Sequence, residues 1–409
     1  MKNIVVLCSA LILCLISCAS GPDVDKVMAQ VEKQVNYQLT ILPVDSKRVM
    51  PASMVDDQLK CVEITDWTSG FFPGTLWYLY EYTHDDRWKE KALEYTCYLD
   101  TIQFYTNHHD VGFMINCSYG NAYRLIGDSV YKQVLINAAY SLATRYRAKA
   151  KTIASWNPRV SRTGVKWDCP VIIDNMMNLE LLFKASELSH DPLLAEIAIE
   201  HANTTLENHI RKDYSCFHVV NYDTITGKVT DKDTWQGFSR NSAWARGQAW
   251  AVYGFMVCYK ETHDPRYLEV AEKMADFYLN HPNMPEDMIP YWDFNYGENG
   301  YIPDWKWEKD MFQEIPRDAS ASAIMASALI DLWQYIPSRQ MYYKTKIEDI
   351  LASLCSSKYL SPINTNGGFI LMHSTGNLPR GREIDVPLNY ADYYFLESLL
   401  KYRNLINKI

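Results

Sequence analysis

Short, similar turn signals separate the apolar stretches of this chain. They lie at residues 83–88, 127–131, 189–193, 262–267 and 336–340. Most contain an Asp that can accept hydrogen bonds from the free amide groups at the start of a helix, and Pro often follows at the first helical position. Each signal therefore ends one helix and starts the next, which predicts tight turns between antiparallel helices.

The helices on the two sides of these turns differ in their hydrophobic pattern. Before a turn, residues such as 249–255 and 319–325 are apolar or small nearly all round, whereas after a turn, as in 87–103, Lys and Glu occupy one face. We predict that buried inner helices alternate with solvent-facing outer helices. The predicted helices lie near residues 26–38, 69–82, 86–104, 112–126, 129–147, 172–189, 192–210, 241–261, 265–280, 318–335, 339–356 and 389–405. These make six hairpins and predict an all-α fold, an (α/α)6 toroid.

The connections that enter the inner helices are long, whereas the other connections are short. The long ones are residues 39–68, 105–111, 148–171, 211–240, 281–317 and 357–388. Because inner and outer helices alternate in direction, all the long connections fall at one mouth of the toroid, which therefore carries the functional site. Residues 216–220 and the segment after the Thr226-Gly227 turn show strand signals, so short β-hairpins are expected to decorate this mouth.

Composition narrows the classes of function. The formal charge of the chain is -9, which gives no basic surplus for nucleic acid. Hydrophobic residues make up 48% and predict a globular protein, and the 13% of aromatic residues suits a carbohydrate cleft and a well-filled core equally. The nucleophile-elbow, phosphate-loop, dinucleotide and zinc-helix motifs are absent from the sequence, and the neighbouring His108 and His109 lack further spaced ligands. We expect neither a metal nor a cofactor.

The first residues have the pattern of an export signal. Lys2 precedes an apolar run over residues 4–16, and a Ser followed by Cys18 resembles the lipobox of bacterial lipoproteins. We expect a signal peptide over residues 1–17, a lipidated Cys18 and a single domain over residues 18–409. The predicted protein is an exported bacterial lipoprotein of the periplasm-facing outer membrane, held by the lipid alone because no later apolar run reaches about 18 residues. The alternative is an ordinary signal peptide with a coincidental Cys.

Two Asp residues near the starts of inner helices are the candidate catalytic groups. Asp174 lies between the apolar residues 171–173 and 176–177, whose desolvation raises the pKa of a carboxyl group, as a general acid requires. The alternative is that Asp174 caps the helix, which favours the ionised form. Asp110 occupies the corresponding position of another inner helix and has the same alternative. Both are expected in one pocket.

Other polar and aromatic residues of the mouth are candidates for substrate contacts. His218 lies on a predicted strand and Gln236 on its return, although lone residues of these types are usually structural. Arg246 enters a buried helix and needs an anionic partner, either a substrate or an Asp of an inner helix. Four Trp residues can stack on sugar faces or belong to the core: Trp67, Trp156, Trp244 and Trp250.

Several long motifs resemble the unsaturated glucuronyl hydrolases of glycoside hydrolase family 88. They are Trp-Thr-Ser-Gly-Phe-Phe-Pro-Gly at 67–74, His-Asp-Val-Gly-Phe at 109–113, Ile-Ile-Asp-Asn-Met-Met-Asn at 172–178, Trp-Ala-Arg-Gly-Gln-Ala-Trp-Ala at 244–251 and Ala-Asp-Tyr-Tyr-Phe-Leu-Glu at 391–397. The resemblance spans most of the chain and implies the (α/α)6 fold. It implies that Asp174 is the catalytic acid and base and that Asp110 is the second essential carboxylate. It also implies substrate contacts from His218, Gln236, Arg246 and Trp250, with Trp67 and Trp244 lining the cleft, whereas Trp156 lies outside any distinctive motif.

The reaction that this resemblance implies removes a 4,5-unsaturated glucuronic acid from the non-reducing end of an oligosaccharide produced by a lyase. The implied partner is this oligosaccharide, and the leaving sugar, its sulfation and the oligomeric state stay open. One lead to sulfate is the last mouth loop, where Ser374 and Arg380 could receive it; the alternative is a solvated loop. Two other functions remain: an unsaturated rhamnogalacturonyl hydrolase, and an inactive glycan-binding lipoprotein of the same fold.

Overall fold

The computed structural model describes residues 21–43 and 47–407 of the chain. Helices dominate it, and they form two concentric sets, labelled here in chain order. The outer helices are α1 Val24–Ile41, α3 Asp86–Cys97, α6 Ser129–Ala143, α8 Pro192–Asn208, α10 Pro265–Asn280 and α12 Gln340–Leu354. The inner helices are α2 Phe71–Thr83, α4 Val111–Ile115 continued by α5 Asn121–Ile126, α7 Leu179–Ser189, α9 Ala245–Thr262, α11 Ala319–Tyr335 and α13 Asn389–Ile406.

The inner helices form a closed ring. Each packs on the next in chain order, and α13 packs on α2 to complete the circle, while α3, α8, α10 and α12 lie against their hairpin partners. Residues 245–258 of α9 and 319–333 of α11 are buried without interruption, whereas α10 buries only one face. This difference follows from the two hydrophobic patterns in the sequence, and the predicted (α/α)6 toroid is confirmed.

The turns between hairpin partners carry the predicted caps. The side chains of Asp85, Asp128, Asp191 and Asp264 each accept a hydrogen bond from a backbone amide of the first helical turn that follows. In the turns before α8 and α10, Pro occupies the first helical position, as predicted. These caps satisfy amide groups that a helix start leaves unpaired.

The predicted helix bounds differ from the structure where polar side chains bond to the backbone. The helix expected over 112–126 contains a π-helical turn, Asn116–Gly120, between α4 and α5. Ser118 donates to the carbonyl oxygen of Met114, and Asn121 donates to that of Cys117, which disturbs the regular ladder. The helix expected from residue 172 starts later, because 169–172 is a strand and a 3₁₀ turn covers Ile173–Asn178.

Short antiparallel strands decorate one end of the ring, as predicted. Three two-stranded ribbons pair β1 Arg48–Val55 with β2 Gln58–Glu63, β3 Tyr146–Arg147 with β4 Thr152–Ile153, and β5 Arg159–Val160 with β6 Lys166–Trp167. A three-stranded sheet has the order β7 Cys169–Ile172, β8 Val219–Tyr222 and β9 Val229–Asp233. In this sheet Ile172 pairs with Val219 and Val219 with Asp233, so the strand ends that lead to the candidate residues lie side by side.

The long connections contact one another around the mouth. Backbone bridges join Ser53 to Leu388, Trp244 to Asp293 and Tyr291 to Arg317. Loops far apart in sequence are thereby fixed at the same end of the toroid, which confirms the prediction that one end carries them.

The predicted signal peptide over residues 1–17 and the predicted lipidation site Cys18 lie outside the described residues. Within residues 21–43 and 47–407, none of the helices is both long enough and apolar enough to cross a membrane.

Candidate active site

A cavity of about 340 Å³ opens at the mouth between three of the long connections. It is lined by Thr65, Asp66, Trp67, Asn107, His108, Asp110, Trp156, Asn157 and Arg159. Of the predicted site residues, Asp110, Trp67 and Trp156 line it. His218 lies next to this cavity, because its ring contacts Trp156 at a centroid distance of 6.4 Å, and Asp174 lies beside His218.

Asp174 is a buried carboxyl group with an unused oxygen. It lies in the 3₁₀ turn before α7, where its side chain caps no helix, and only 8% of that side chain is exposed. Within the part of the chain that the structure describes, Oδ2 has no hydrogen-bond partner. Burial raises the pKa of Asp174 to about 7, the Arg246 cation lowers it in part, and the charge of Asp110 raises it further. The carboxyl group is therefore half protonated near neutral pH, as the sequence predicted.

Asp110 is equally buried but lies between two imidazole rings. His108 Nδ1 is 3.1 Å from Oδ2, and His109 Nε2 is 3.2 Å from Oδ1, so each carboxylate oxygen faces its own ring. Burial alone would raise the pKa of Asp110, but the two His residues outweigh it and lower that pKa. Asp110 precedes α4 without a side-chain cap, so the capping alternative fails for both candidate carboxyl groups. Asp110 therefore stays ionised at a pH at which Asp174 is partly protonated.

Asn178 fixes the ring of His109. The amide oxygen of Asn178 accepts a hydrogen bond from Phe113 N at 2.8 Å, which leaves its NH2 group to donate to His109 Nδ1 at 3.2 Å. The remaining nitrogen, Nε2, then carries the proton that faces Asp110. Burial lowers the pKa of His109 to about 4, so this ring is a neutral donor. Gly112 permits the contact, because a Cβ atom there would lie 2.3 Å from Asn178 Oδ1.

Two backbone amides fix the tautomer of His218. Its Nδ1 accepts hydrogen bonds from Trp235 N at 3.0 Å and Gln236 N at 3.2 Å, so the proton of the neutral ring is on Nε2. Nε2 points toward Asp174 and lies 3.6 Å from Oδ2. Burial lowers the pKa of His218 well below its ordinary value, and Arg246 lowers it further. The ring is an uncharged donor beside Asp174.

Arg246 is occupied by the protein itself. Its guanidinium is 1% exposed and lies 2.6 Å from Asp318 Oδ2, and it also donates to the carbonyl oxygens of Thr375 and Gly376. A weaker contact of 3.4 Å reaches the Gln236 side chain. The sequence left two anionic partners open for Arg246, a substrate or an Asp of an inner helix, and the structure shows the pair with Asp318. Arg246 ties three mouth segments together, and its contact with a substrate stays a prediction.

The four candidate Trp residues divide into two pairs by burial. Trp67 and Trp156 are half-buried and line the cavity, where Trp67 also packs on Tyr390 at a centroid distance of 5.0 Å. Trp250 has no exposed surface and packs between Phe113 and Tyr394. Trp244 is 3% exposed and lies under the Arg246 guanidinium. The first pair is accessible to a sugar ring, and the second pair supports the site from below.

The two residues of the last mouth loop that are candidates for binding sulfate differ in exposure. Ser374 is fully buried, and its hydroxyl accepts a hydrogen bond from Ser320 N, so the expected contact between Ser374 and a sulfate is not available here. Arg380 is exposed, and its guanidinium lies 4.3 Å from the ring centroid of Trp235. Arg159 contacts the same ring at 5.6 Å and Trp156 at 4.3 Å. Neither Arg380 nor Arg159 has an ion pair within residues 21–43 and 47–407.

Sequence reasoning missed several residues that build this site. Asn178, Asp318 and Trp235 act through contacts between distant segments; Asn178 ends the motif at 172–178, but that motif does not indicate its partners. Sequence reasoning assigns His108 and His109 no role toward Asp110, although His109 begins the motif at 109–113; their position next to Asp110 is the signal for such a role. In the described residues, no three His, Cys, Asp or Glu side chains gather as a metal-binding group.

The chain is similar to proteins of one enzyme family along almost its whole length. A sequence model described as Glycosyl Hydrolase Family 88 matches residues 46–331. An unsaturated glucuronyl hydrolase from Formosa agariphila is 45% identical over 391 residues, which is 95% of this chain and 92% of the relative.

Solved structures agree with the sequence match. The crystal structure of an unsaturated glucuronyl hydrolase specific for heparin has a TM-score of 0.84 and 45% identity, and the match covers 94% of this chain and 98% of that one. A mutant unsaturated glucuronyl hydrolase from Streptococcus agalactiae, complexed with dGlcA-GalNAc6S, has a TM-score of 0.74 and 27% identity over 93% and 91% of the two chains. The chain therefore belongs to glycosyl hydrolase family 88 and is a glycoside hydrolase homologous to the unsaturated glucuronyl hydrolases.

Proposed function

We propose that this protein removes the 4,5-unsaturated glucuronic acid from the non-reducing end of glycosaminoglycan oligosaccharides that a lyase has produced. The observation that carries the proposal is the buried Asp174 carboxyl, whose pKa lies near 7 and whose Oδ2 has no partner among the described residues. A group of this kind can give a proton and take one back near neutral pH. The 45% identity to an unsaturated glucuronyl hydrolase supports the same activity.

The proposed reaction is hydration of an enol ether. The C4=C5 double bond donates its electron pair to the proton of Asp174, a C–H bond forms at C4, and positive charge develops at C5 and the ring oxygen. Water then adds to C5, and the Asp174 carboxylate takes the proton that this water loses. The resulting hemiketal opens, and the leaving sugar departs with its oxygen. Because the anomeric carbon is not attacked, the distance rule for retaining and inverting carboxylate pairs does not apply.

The neighbours of Asp174 suit this cycle. The ionised Asp110 keeps the pKa of Asp174 high and can accept hydrogen bonds from ring hydroxyls. His218 Nε2–H is a donor beside the acid, and the Gln236 side chain, whose oxygen accepts from Arg246 at 3.4 Å, has an NH2 group that can donate. Trp67 and Trp156 provide faces on which a sugar can stack. We assign direct substrate contacts to these four residues. Arg246, Trp244 and Trp250 are assigned to holding the site in place.

One experiment tests the activity. The purified protein is incubated with lyase-generated unsaturated disaccharides, and the ultraviolet absorbance of the conjugated alkene is followed. We expect the absorbance to decay as the double bond is hydrated. A folded protein that binds the disaccharides and leaves the absorbance unchanged would instead be a glycan-binding member of the family without turnover.

We further propose that the leaving sugar carries a sulfate that contacts Arg380. Arg380 and Arg159 are two guanidinium groups without an ion pair in the described chain, and both lie on the Trp235 ring at the edge of the cavity. Unpaired guanidinium groups are suited to bind sulfate oxygens. Arg380→Ala should lower activity on a sulfated disaccharide about tenfold relative to the unsulfated one. Arg382→Ala, which changes a neighbouring Arg of the same loop, is the matched control; equal effects of the two substitutions would contradict the proposal.

The location of the protein is a separate proposal. We propose that it is exported and anchored to the periplasm-facing outer membrane through a lipid on Cys18, because an apolar run over residues 4–16 leads into a lipobox-like pattern. Labelling of cells with a radioactive fatty acid should mark the protein. The label should disappear in Cys18→Ser, and a label that persists would exclude this anchor.

A further inference from the structure

His108 lies at the mouth and takes no direct part in the proposed proton transfers. Its side chain is 19% exposed and lines the cavity beside Asp110. The ring bridges two loops: Nε2 lies 3.3 Å from the carbonyl oxygen of Thr65, and Nδ1 lies 3.1 Å from Asp110 Oδ2. The edge of this ring therefore links the loop before α2 to the carboxylate before α4.

The partners of the two ring nitrogens determine where protons can be. A carbonyl oxygen only accepts, so the contact with Thr65 requires a proton on Nε2. In the neutral ring Nδ1 then carries no proton. It can accept a hydrogen bond from Asp110 N at 3.2 Å, but it cannot donate to Asp110 Oδ2, which its lone pair faces. In the protonated ring Nδ1–H donates to Oδ2 instead. Only the doubly protonated ring bonds both Thr65 and the Asp110 carboxylate.

We propose that His108 is a positioning residue, whose doubly protonated form orients the Asp110 carboxylate and keeps it ionised beside Asp174. The proposal rests on the proposed function of Asp110 and Asp174. His109 Nε2 faces the other carboxylate oxygen at 3.2 Å as part of a neutral ring, so His108 is the member of the pair that can change its charge. The sequence His-His-Asp thus places one neutral ring and one titrating donor beside a single carboxylate.

The charged and titratable groups around His108 come from every element packed against it. They are Asp110 and His109 on its own loop, Tyr105 before it, Arg145 at the end of α6, and Asp66 and Arg159 across the cavity. Burial lowers the pKa of His108, but the hydrogen bond and charge of Asp110 outweigh burial and raise it, with a smaller opposing effect from Arg145. The carboxylate is therefore the group that retains the proton on His108.

This arrangement has a consequence for the acidic side of the pH profile. The proposed reaction needs Asp110 ionised, so kcat falls when the pH drops through the pKa of Asp110. Removing the imidazolium removes an influence that lowers this pKa, and the acidic limb should move to higher pH. A residue that merely filled space would not move this limb.

The first test compares three variants across the pH range. His108→Ala should lower kcat at the optimum on the order of tenfold, change KM less than about twofold, and shift the acidic limb upward by about one pH unit. His108→Asn places an uncharged amide donor near the Nδ1 position and should restore part of kcat. The control is His373→Ala, which removes another His–Asp pair of the mouth, at 2.6 Å from Asp385, and should leave the acidic limb in place. An unmoved acidic limb in His108→Ala would overturn the proposal.

The second test does not depend on turnover. In protein labelled with 15N-histidine, the resonances absent from His108→Asn identify His108, and their shifts report whether both ring nitrogens carry protons. We expect a titration midpoint above the ordinary range of His in the wild type, with both ring nitrogens protonated below it, and a lower midpoint in Asp110→Asn. A neutral ring at the pH of maximal activity, or an unchanged midpoint in Asp110→Asn, would refute the proposal. If the wild type lacks turnover, this result still decides the state of His108.

Discussion

Asp110 and Asp174 lie at the same mouth and are almost equally buried, with 8% and 6% of their surfaces exposed. Their pKa values nevertheless shift in opposite directions. Burial dominates at Asp174, where Oδ2 meets only the edge of His218 at 3.6 Å, and the pKa rises to about 7. At Asp110 two imidazole rings outweigh burial and lower the pKa. The hydrogen-bond donors that face each carboxyl group, rather than its depth, decide which one is the acid.

Asp392 shows why a raised pKa alone does not identify a catalytic group. Burial raises its pKa to about 8, higher than that of Asp174. Both of its oxygens are used, however, because they accept hydrogen bonds from Ile370 N at 2.9 Å and Leu371 N at 2.8 Å. Asp392 holds a loop to α13, whereas Asp174 keeps one oxygen available for chemistry.

The largest expected effect comes from Asp174→Asn. It removes both the proton donor and the proton acceptor, so kcat on an unsaturated disaccharide should fall at least about 10³-fold, within the range of general acid–base catalysis. The rate is measured from the loss of alkene absorbance, with circular dichroism to verify the fold.

The matched control for this substitution is Asp392→Asn. It should lower the free energy of unfolding by about 1–3 kcal/mol, because an amide cannot accept from both backbone groups. The folded enzyme should keep kcat within about threefold of the wild type. If folded Asp392→Asn loses as much activity as Asp174→Asn, the distinction between the two buried carboxyl groups fails.

Asp110→Asn should lower kcat about 10²-fold and also change the alkaline limb of its pH profile. The charge of Asp110 raises the pKa of Asp174, so without it Asp174 should lose its proton at lower pH. The alkaline limb of kcat, which is expected near pH 7 in the wild type from the pKa of Asp174, should therefore move toward acid. A limb that stays in place would show that the two carboxyl groups do not interact.

The smallest effect concerns stability and has opposite signs at the two positions. Asp174 has a folded pKa of about 7 against an ordinary value of 3.8, so its stability contribution is lost as the pH rises from about 4 to 7. Asp174→Asn should therefore be more stable than the wild type at pH 8, by about 1–4 kcal/mol, and not at pH 4. Asp110 has a lowered pKa, so its contribution is present at pH 8 and Asp110→Asn should be less stable there. Melting temperatures of both variants at pH 4 and pH 8 give the comparison, and equal signs at pH 8 would contradict it.

The sequence predicted the ring of helices well, because the signals are local. Asp191-Pro192 and Asp264-Pro265 mark helix starts. The apolar residues around Asp174 predict that its pKa is raised. Periodicity and capping depend on neighbours in the chain, so a single sequence contains them.

The partners of each site residue depended instead on segments that are distant in sequence. Arg246 needed an anion, but nothing local selected Asp318, which lies 72 positions away, over a substrate. Ser374 was a candidate because of its hydroxyl, and only the contact with Ser320 N shows that this hydroxyl is used. A carboxyl group or a hydroxyl on a loop is chemically available only if the fold leaves it unpaired, and the fold decides that through tertiary contacts.

Arg246 donates hydrogen bonds to the carbonyl oxygens of Thr375 and Gly376 and so fixes the base of the last mouth loop. The tip of this loop can therefore vary independently of the site. Backbone hydrogen bonds from Gly376 to Glu383 and between Asn377 and Arg382 close the loop at its root. Exposed residues of this tip, such as Arg380, can thus mutate in size and charge while the proton donor keeps its place, whereas Leu378 is buried in the core. Substitutions at the tip can therefore change the selectivity for the leaving sugar without altering the residues around Asp174. Exchange of this loop between relatives is expected to transfer that selectivity with little loss of kcat.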